Sequence, residues 1–422
     1  MCREVRVTSV LAFTLRGSRT KIGPAFGRSH VEAGCEFCGA CVDVCPTGAL
    51  SDKAAKWEGR PDGRCVSTCP ICAIGCQIEL QHKDGRLIRV KAHTDPEVND
   101  GQLCVKGRFG LPETTHHFER AKKPMLKKGE FFREVTWEEA LAKVAAELKA
   151  AGPDGLAALV SPDLTNEGLF AAQRFVRECL GSANIDSTAR VELAGGPALW
   201  TNLFSLPVSL KDILRSDVIL AVGLDSRFDF SVVGTKIRQA LNAGARLVTI
   251  DPRESNLARY TDDWLRPVPG REGRLLKWLA GVPEGREDSL AAVAGDAGVD
   301  APSLERAAGI VASSKRLTVA VGPQAFHYGE RQALVEGLWA LAGRADANVI
   351  PLYYGANSRG ALEIGVFPEA GPGGPRRGPA GRGLADLASG GWRPRVLFLV
   401  GDVPFADRPE CDFLVVQDTY LP

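Results

Sequence analysis

Ten of the twelve cysteines fall within the first 104 of 422 residues, nine of them between Cys35 and Cys104, and this crowding constrains the chain more than any other feature. Only Cys179 and Cys411 lie further on, and Cys179, on a helical pattern, reads as core filler. A disulfide framework suits a small secreted domain. This chain is large and shows no signal peptide, so clustered thiols read as metal ligands.

The first motif is Cys35-x2-Cys38-x2-Cys41-x3-Cys45-Pro46. Three thiolates from one tight loop can grip three corners of a cubane iron–sulfur cluster, while the fourth, followed by proline, reaches the other cluster of a pair. Two C-x2-C pairs can also hold zinc, but the compressed spacing and terminal Cys-Pro argue against it. If Cys45 serves a neighbouring cluster, then Cys35, Cys38 and Cys41 need a fourth ligand from upstream, and only Cys2 is available. One cluster is then expected on Cys2, Cys35, Cys38 and Cys41. Cys45 is left for a third, whose other cysteines would precede Met1.

The second motif, Cys69-x2-Cys72-x3-Cys76, is completed by Cys104-Val105-Lys106-Gly107. Four soft thiolates again suit a [4Fe-4S] cluster. The long gap fits a hairpin, with Ile78 to Val90 reading as two strands about Lys83-Asp84-Gly85. Cys65 reads as a bystander.

Beyond the cysteines the pattern alternates strand and helix. Thr136 and Glu139 form a capping box for a helix carrying Trp137, Leu141, Val144, Ala145 and Leu148 on one face. Asp217 to Val222, a helix bearing Val232, Val233, Ile237, Ala240 and Leu241, and Leu247 to Ile250 make a βαβ unit, hence a parallel sheet. Leu317 to Val321, a helix around Ala333 to Leu341, Val349 to Tyr354, Val396 to Val400 and Phe413 to Val416 continue in kind. The fold class is α/β: a ferredoxin-like iron–sulfur module (1–60), a small 4Fe-4S domain (61–120), then parallel-sheet α/β domains (121–422). The stretch Phe367 to Gly383, rich in Pro and Gly, is expected to be a mobile surface loop.

With 52 Lys+Arg against 51 Asp+Glu the net charge is +1, which offers no field for a polyanion and argues against nucleic acid. Apolar runs stop at five residues, far below the roughly 20 of a spanning helix. His116-His117 could suggest a metal site, but adjacent side chains point apart.

The string CPICAIGC … GQLCVKGRFG, preceded by CEFCGACVDVCPTGAL, resembles the molybdopterin oxidoreductase superfamily. The resemblance is to the branch shared by formate dehydrogenase catalytic subunits and the large iron–sulfur subunit of NADH:quinone oxidoreductase. It continues through TNEGLFAAQRFVRECLGSANIDSTARV, Asp251-Pro252-Arg253 and YGANSRGALEIG. It implies α/β domains of that family's type and a cluster on Cys69, Cys72, Cys76 and Cys104. Beside that cluster it implies a bis-molybdopterin guanine dinucleotide carrying molybdenum or tungsten. Lys106 would lie between cluster and pterin, and Gly223 (with Leu224-Asp225), Asp251 and Arg253 would help hold a dinucleotide at strand C-termini.

At the catalytic position the chain departs from its relatives. Formate dehydrogenases carry a cysteine or selenocysteine and then histidine where this chain has Glu192-Leu193. A hard carboxylate replaces the soft ligand and leucine replaces the proton-moving base, so formate oxidation is not expected, although Glu192 could ligate an oxophilic metal. The resemblance therefore implies an electron-transferring subunit; a catalytic metal-pterin enzyme and a structural component keeping its clusters as folding staples are the alternatives. With no G-x-G-x-x-G after a strand, flavin or nicotinamide chemistry, or further iron–sulfur centres, would come from a partner subunit. A cytoplasmic location is expected. Both ends suggest a fragment or a gene split into two chains, since Met1-Cys2 begins inside a cluster motif and FLVVQDTYLP ends where relatives run on.

Overall fold

Val218–Val222 and Leu317–Val321 are five-residue apolar strands buried along their whole length, as parallel strands covered by helices on both faces must be. The computed structural model describes residues 1–94, 97–193, 197–204, 208–227, 229–282, 289–327, 330–344, 347–375, 380–405 and 409–420. The chain forms two units, Met1–His116 with Leu206–Tyr354, and His117–Ser205 with Gly355–Pro422. Residues 1–60 and 61–116 thus group together with 206–354. The cysteine-bearing segments fold with a sheet that begins a hundred residues later in sequence, and 121–422 contributes to both units.

In the first unit five parallel strands run in the order Asp263–Leu265, Arg246–Ile250, Val218–Val222, Leu317–Val321, Asn348–Pro351. The helix Ser231–Asn242 joins two of them, burying Val232, Val233, Ile237 and Ala240. A three-stranded antiparallel sheet, Gly63–Thr68, Gln77–Lys83 and Arg86–Ala92, precedes it in sequence. Its hairpin turns at Asp84 and Gly85, both with positive φ (48° and 73°), the tight-turn geometry that the sequence signals. Ile78 and Val90 from this small sheet share one core with Ile219, Ala221, Ile237 and Ile350 of the large one. That shared core explains the grouping: the small sheet alone has too little apolar surface to bury its own face.

In the second unit four parallel strands run Phe413–Gln417, Val396–Val400, Leu156–Val160, Ile185–Ser187. The α/β pattern read as one theme is thus two separate sheets. Thr136 caps the helix Trp137–Ala151 by accepting from the Glu139 N–H at 3.2 Å. Its forecast core face is largely exposed, with Trp137 and Leu141 in solvent and Leu148 buried. Cys179 is exposed too, not core filler.

The Pro/Gly stretch is not a mobile surface loop over its described part. Phe367 and Ala370 are buried, the Arg177 guanidinium donates to both their carbonyls (2.7 and 2.6 Å), and Ala370–Gly371 pairs with Gly374–Pro375. Residues 376–379 of that stretch lie outside the described residues.

Candidate iron–sulfur and pterin sites

The Cys69 loop leaves the strand Gly63–Thr68 and closes on itself, the Cys69 N–H donating to the Cys76 carbonyl at 2.8 Å, with Gly75 in the left-handed region (φ 65°). Its tip is pinned by the Ala73 N–H donating to the Tyr353 carbonyl at 3.2 Å, just past the strand Asn348–Pro351. Cys104 arrives on the segment before the π-helical turn Lys106–Gly110, and the Gly107 N–H reaches its Sγ at 3.5 Å. The four thiols are close enough to act on one another's ionisation. Burial first, and then the neighbouring sulfurs, push Cys69 up to about 11 and Cys72 up to about 12, and raise Cys76 well above the ordinary thiol range. Burial disfavours the thiolates of Cys69, Cys72 and Cys76, which need positive charge at the sulfurs to form, and backbone N–H groups at Ile71 and Ile74 already point at the sulfurs. This donor set fits a cubane cluster, which supplies the missing positive charge.

The second gathering is Cys2, Cys35, Cys38 and Cys41. Burial raises Cys35 and Cys41, and Cys2 and Cys38 are among the sulfurs that raise them further. The Phe37 N–H donates to the Cys35 Sγ at 3.3 Å, and the Leu11 N–H to the Cys2 Sγ at 3.5 Å. Cys2 sits on a segment fastened to the helix Ser231–Asn242. Gln239 Nε2 donates to the Val5 carbonyl (2.7 Å) and Arg238 Nε to the Arg6 carbonyl (3.2 Å). Beneath it lies a fully buried charge cluster. The Arg6 guanidinium holds Glu36 (2.5 Å) and Ser231, and Arg238 holds Glu36 from the other side (2.8 Å). Glu36 stands between Cys35 and Cys38, so the same carboxylate fastens the cysteine loop and the Cys2 arm.

Cys45 joins neither group. Hydrogen bonds from the Leu50 N–H and Thr47 lower its pKa to about 7. Cys65 is exposed on its strand, and His116 accepts from the Leu87 N–H at 2.9 Å, a structural bond.

Of the residues expected to contact a pterin, Gly223, Asp251 and Arg253 follow strand C-termini in the first unit, and Lys106 does not. Gly223 follows Val218–Val222 with φ 54°, and a Cβ there would sit 2.7 Å from the Ala325 nitrogen. Asp251 follows Arg246–Ile250. It is buried, its Oδ1 accepts from the Arg253 N–H at 2.9 Å, and its Oδ2 is buried with no partner among the described residues. Burial and the Asp225 charge push its carboxyl up, while the Arg253 N–H and guanidinium pull it down; the net shift is upward. An orphaned acceptor at a strand end suits a hydroxyl donor such as a ribose. The Arg253 guanidinium is largely exposed, and Lys106 is paired with Asp229.

Glu192 lies in the other unit, after the turn Thr188–Val191. Its Oε2 accepts from the Gly355 N–H at 3.2 Å and lies 3.5 Å from the Ser358 hydroxyl. Arg190 in the same string forks onto buried Asp186 (3.0 and 2.8 Å) and reaches Glu369 (2.7 Å). Glu192, the residue expected at a metal-ligand position, is therefore tied into its own unit's hydrogen bonding.

Sequence reasoning missed Glu36, Arg6 and Arg238, a cluster in which Arg238 lies some two hundred residues beyond the other two. It also missed Lys236, buried within electrostatic reach of Cys76, though a lysine beside Val232, Val233 and Ile237 was a visible break in an apolar face.

The molybdopterin oxidoreductase pattern matches residues 120–342, more than half of the chain. The chain belongs to the molybdopterin oxidoreductase family. The family's Fe4S4 domain matches residues 64–116, and a 4Fe-4S binding domain matches 30–51. The NADPH-Fe(3+) oxidoreductase subunit alpha of Geobacter sulfurreducens is 30% identical over 99% of this chain and 55% of its own length. NADH-quinone oxidoreductase subunit 3 of Thermus thermophilus is 31% identical over 87% of this chain and 46% of its own length. The chain thus spans about half the length of these curated relatives. Among solved structures, the acetylene hydratase of Pelobacter acetylenicus superposes with a TM-score of 0.54 at 19% identity, covering 64% of this chain and 42% of that one, a likeness of fold. No described helix is long and apolar enough to cross a membrane.

Proposed function

We propose that this chain is an iron–sulfur electron-transfer subunit that passes electrons between two [4Fe-4S] clusters and a partner redox subunit, without formate dehydrogenase activity. The observation that carries the reading is the gathering of two thiol quartets within one unit. Cys69, Cys72, Cys76 and Cys104 would hold one cluster, and Cys2, Cys35, Cys38 and Cys41 the other. Bound clusters supply one-electron oxidation and reduction at potentials that burial and N–H···S bonds set. The residues around them exclude water from the Cys69 set and fasten the Cys2 arm. Glu192 and Leu193 support the absence of formate chemistry, since one lacks softness and the other a titratable proton. The relatives are named as subunits, which supports a partner.

The unpartnered Asp251 Oδ2 and the tight Gly223 turn favour a second reading, in which the dinucleotide cradle is retained and a metal-pterin is held by Gly223, Asp251, Arg253 and Lys106. Metal analysis of protein purified without air separates the two. About eight irons per chain without molybdenum or tungsten supports the conduit. About one molybdenum or tungsten per chain shifts the assignment to the catalytic reading.

A further inference from the structure

Arg108 lies four residues after Cys104, yet it is almost wholly buried, 3% exposed, where a charged side chain must be paired to be tolerated. Its backbone N–H donates to the Cys104 carbonyl at 3.2 Å. Its side chain runs in the opposite direction, into the other cysteine motif, where Nε donates to the Cys38 carbonyl at 2.7 Å and Nη1 to the Asp43 carboxylate at 2.5 Å. One residue is therefore hydrogen-bonded to a cysteine of each quartet.

The first motif is shaped to admit it. Gly39, next to Cys38, has φ 70°, and a Cβ built there would overlap the Arg108 Cδ and come within 2.8 Å of the Phe109 Cζ. No residue with a side chain fits between Cys38 and Ala40 while Arg108 is in place. One donor remains: the Arg108 Nη2 is buried without a partner among the described residues. An unspent donor on a buried cation is costly if it serves nothing.

We infer that Arg108 is a positioning residue that couples the two cluster sites. It fixes the Cys38 loop against the Cys104 turn, and the route from the Cys104 carbonyl through Arg108 to the Cys38 carbonyl is the hydrogen-bonded path between the clusters. This rests on the function proposed above. The step it serves is a one-electron exchange in which the cluster on one quartet is oxidised and that on the other reduced, with no proton moved and no covalent bond changed. The cation beside Cys38 also favours the reduced, more negative state of the nearer cluster, so its removal lowers that cluster's midpoint potential.

The test uses the full chain purified without air, with iron analysis, spin-resonance titration of each cluster, and freeze-quenched redistribution of one electron after flash photoreduction. Wild-type protein with one cluster or none refutes the proposed function before any variant is made. With both clusters present, Arg108→Met, which keeps the stem and removes every donor, is expected to keep about eight irons. It should slow the exchange by about 10- to 100-fold, as losses of outer-shell partners do, and lower the potential of the Cys38-side cluster alone. Full iron with unchanged rate and potentials overturns the inference. Should Arg108→Met lose iron, Arg108→Lys decides: iron retained with partial recovery of potential and slowed exchange supports the coupling. Iron retained with wild-type exchange, or iron lost again, assigns Arg108 to packing alone.

Discussion

The two thiol quartets are prepared in opposite ways. Cys69 and Cys76 are set into an apolar core continuous with Ile78, Val90, Ile219 and Ile350, and Cys72 packs against it. Cys2, Cys35, Cys38 and Cys41 are half-buried and stand on the cluster of Arg6, Glu36 and Arg238. Both sets receive backbone N–H groups at sulfur; the first is embedded in apolar packing, whereas the second fastens an arm from one end of the chain to a loop and a helix far away in sequence. A hydrophobic setting comes with the sheet that builds it, whereas a charged clamp must be satisfied member by member.

The largest expected effect tests that asymmetry directly. Glu36→Gln leaves Arg6 and Arg238 facing each other without their carboxylate, a loss of about 3–5 kcal/mol for a buried pair stripped of one partner. The Cys2 arm should detach, so that iron falls from about eight to about four per chain and the spin-resonance signal of the buried cluster alone survives. Equal loss of both signals would mean that the quartets are not separately prepared.

Ile78→Ala is the reciprocal experiment. Ile78 is nearly inaccessible in the small sheet, and its truncation is expected to cost about 2–5 kcal/mol by denaturant unfolding. The cavity opens beside the Cys69 loop, so the buried cluster should become more oxygen-sensitive while the Cys2 cluster keeps its potential. A smaller effect is expected at Gln239→Ala, which removes only the bond to the Val5 carbonyl and so costs about 1 kcal/mol. Iron should then be lost from the Cys2 set faster during chelator challenge, with the Cys69 set unaffected.

How much of this was legible follows the same contrast. The expected groupings of Cys69 with Cys104 and of Cys2 with Cys35, Cys38 and Cys41 rest on spacing and on counting ligands, and enter the proposal above on that footing. The capped helix at Thr136 and the Asp84-Gly85 hairpin were legible because caps and turns are written locally. Glu36 was not, because nothing near Cys35 says that a glutamate will be buried between two arginines, one of them two hundred residues on. Phe367 was hidden by its company: proline and glycine signalled a loop, but the Arg177 guanidinium satisfies the carbonyls and lets the segment pack. The exposed face of Trp137 and Leu141 shows the converse, since a cap and a helical period specify a helix without saying what covers it. The assignment of the two parallel sheets to separate units was equally out of reach, because five-residue apolar strands carry no label for their neighbours.

The finest probe of the comparison is Gly107→Ala. Gly107 follows Lys106 in the turn that presents Cys104, and its added methyl would lie 3.1 Å from the Cys69 Sγ, tighter than a relaxed contact but within what a small shift can relieve. Its backbone is not in the left-handed region, so the substitution adds no conformational strain, and overpacking is the whole effect. Because the surrounding core is close-packed, that shift falls on the sulfur or on the N–H that Gly107 gives to Cys104. We expect full iron, unchanged stability within about 1 kcal/mol, and altered g-values and potential for the buried cluster only. A matching change in the Cys2 cluster would show that displacement at the Cys104 turn is carried across Arg108, and the two sites would have to be treated as one coupled unit.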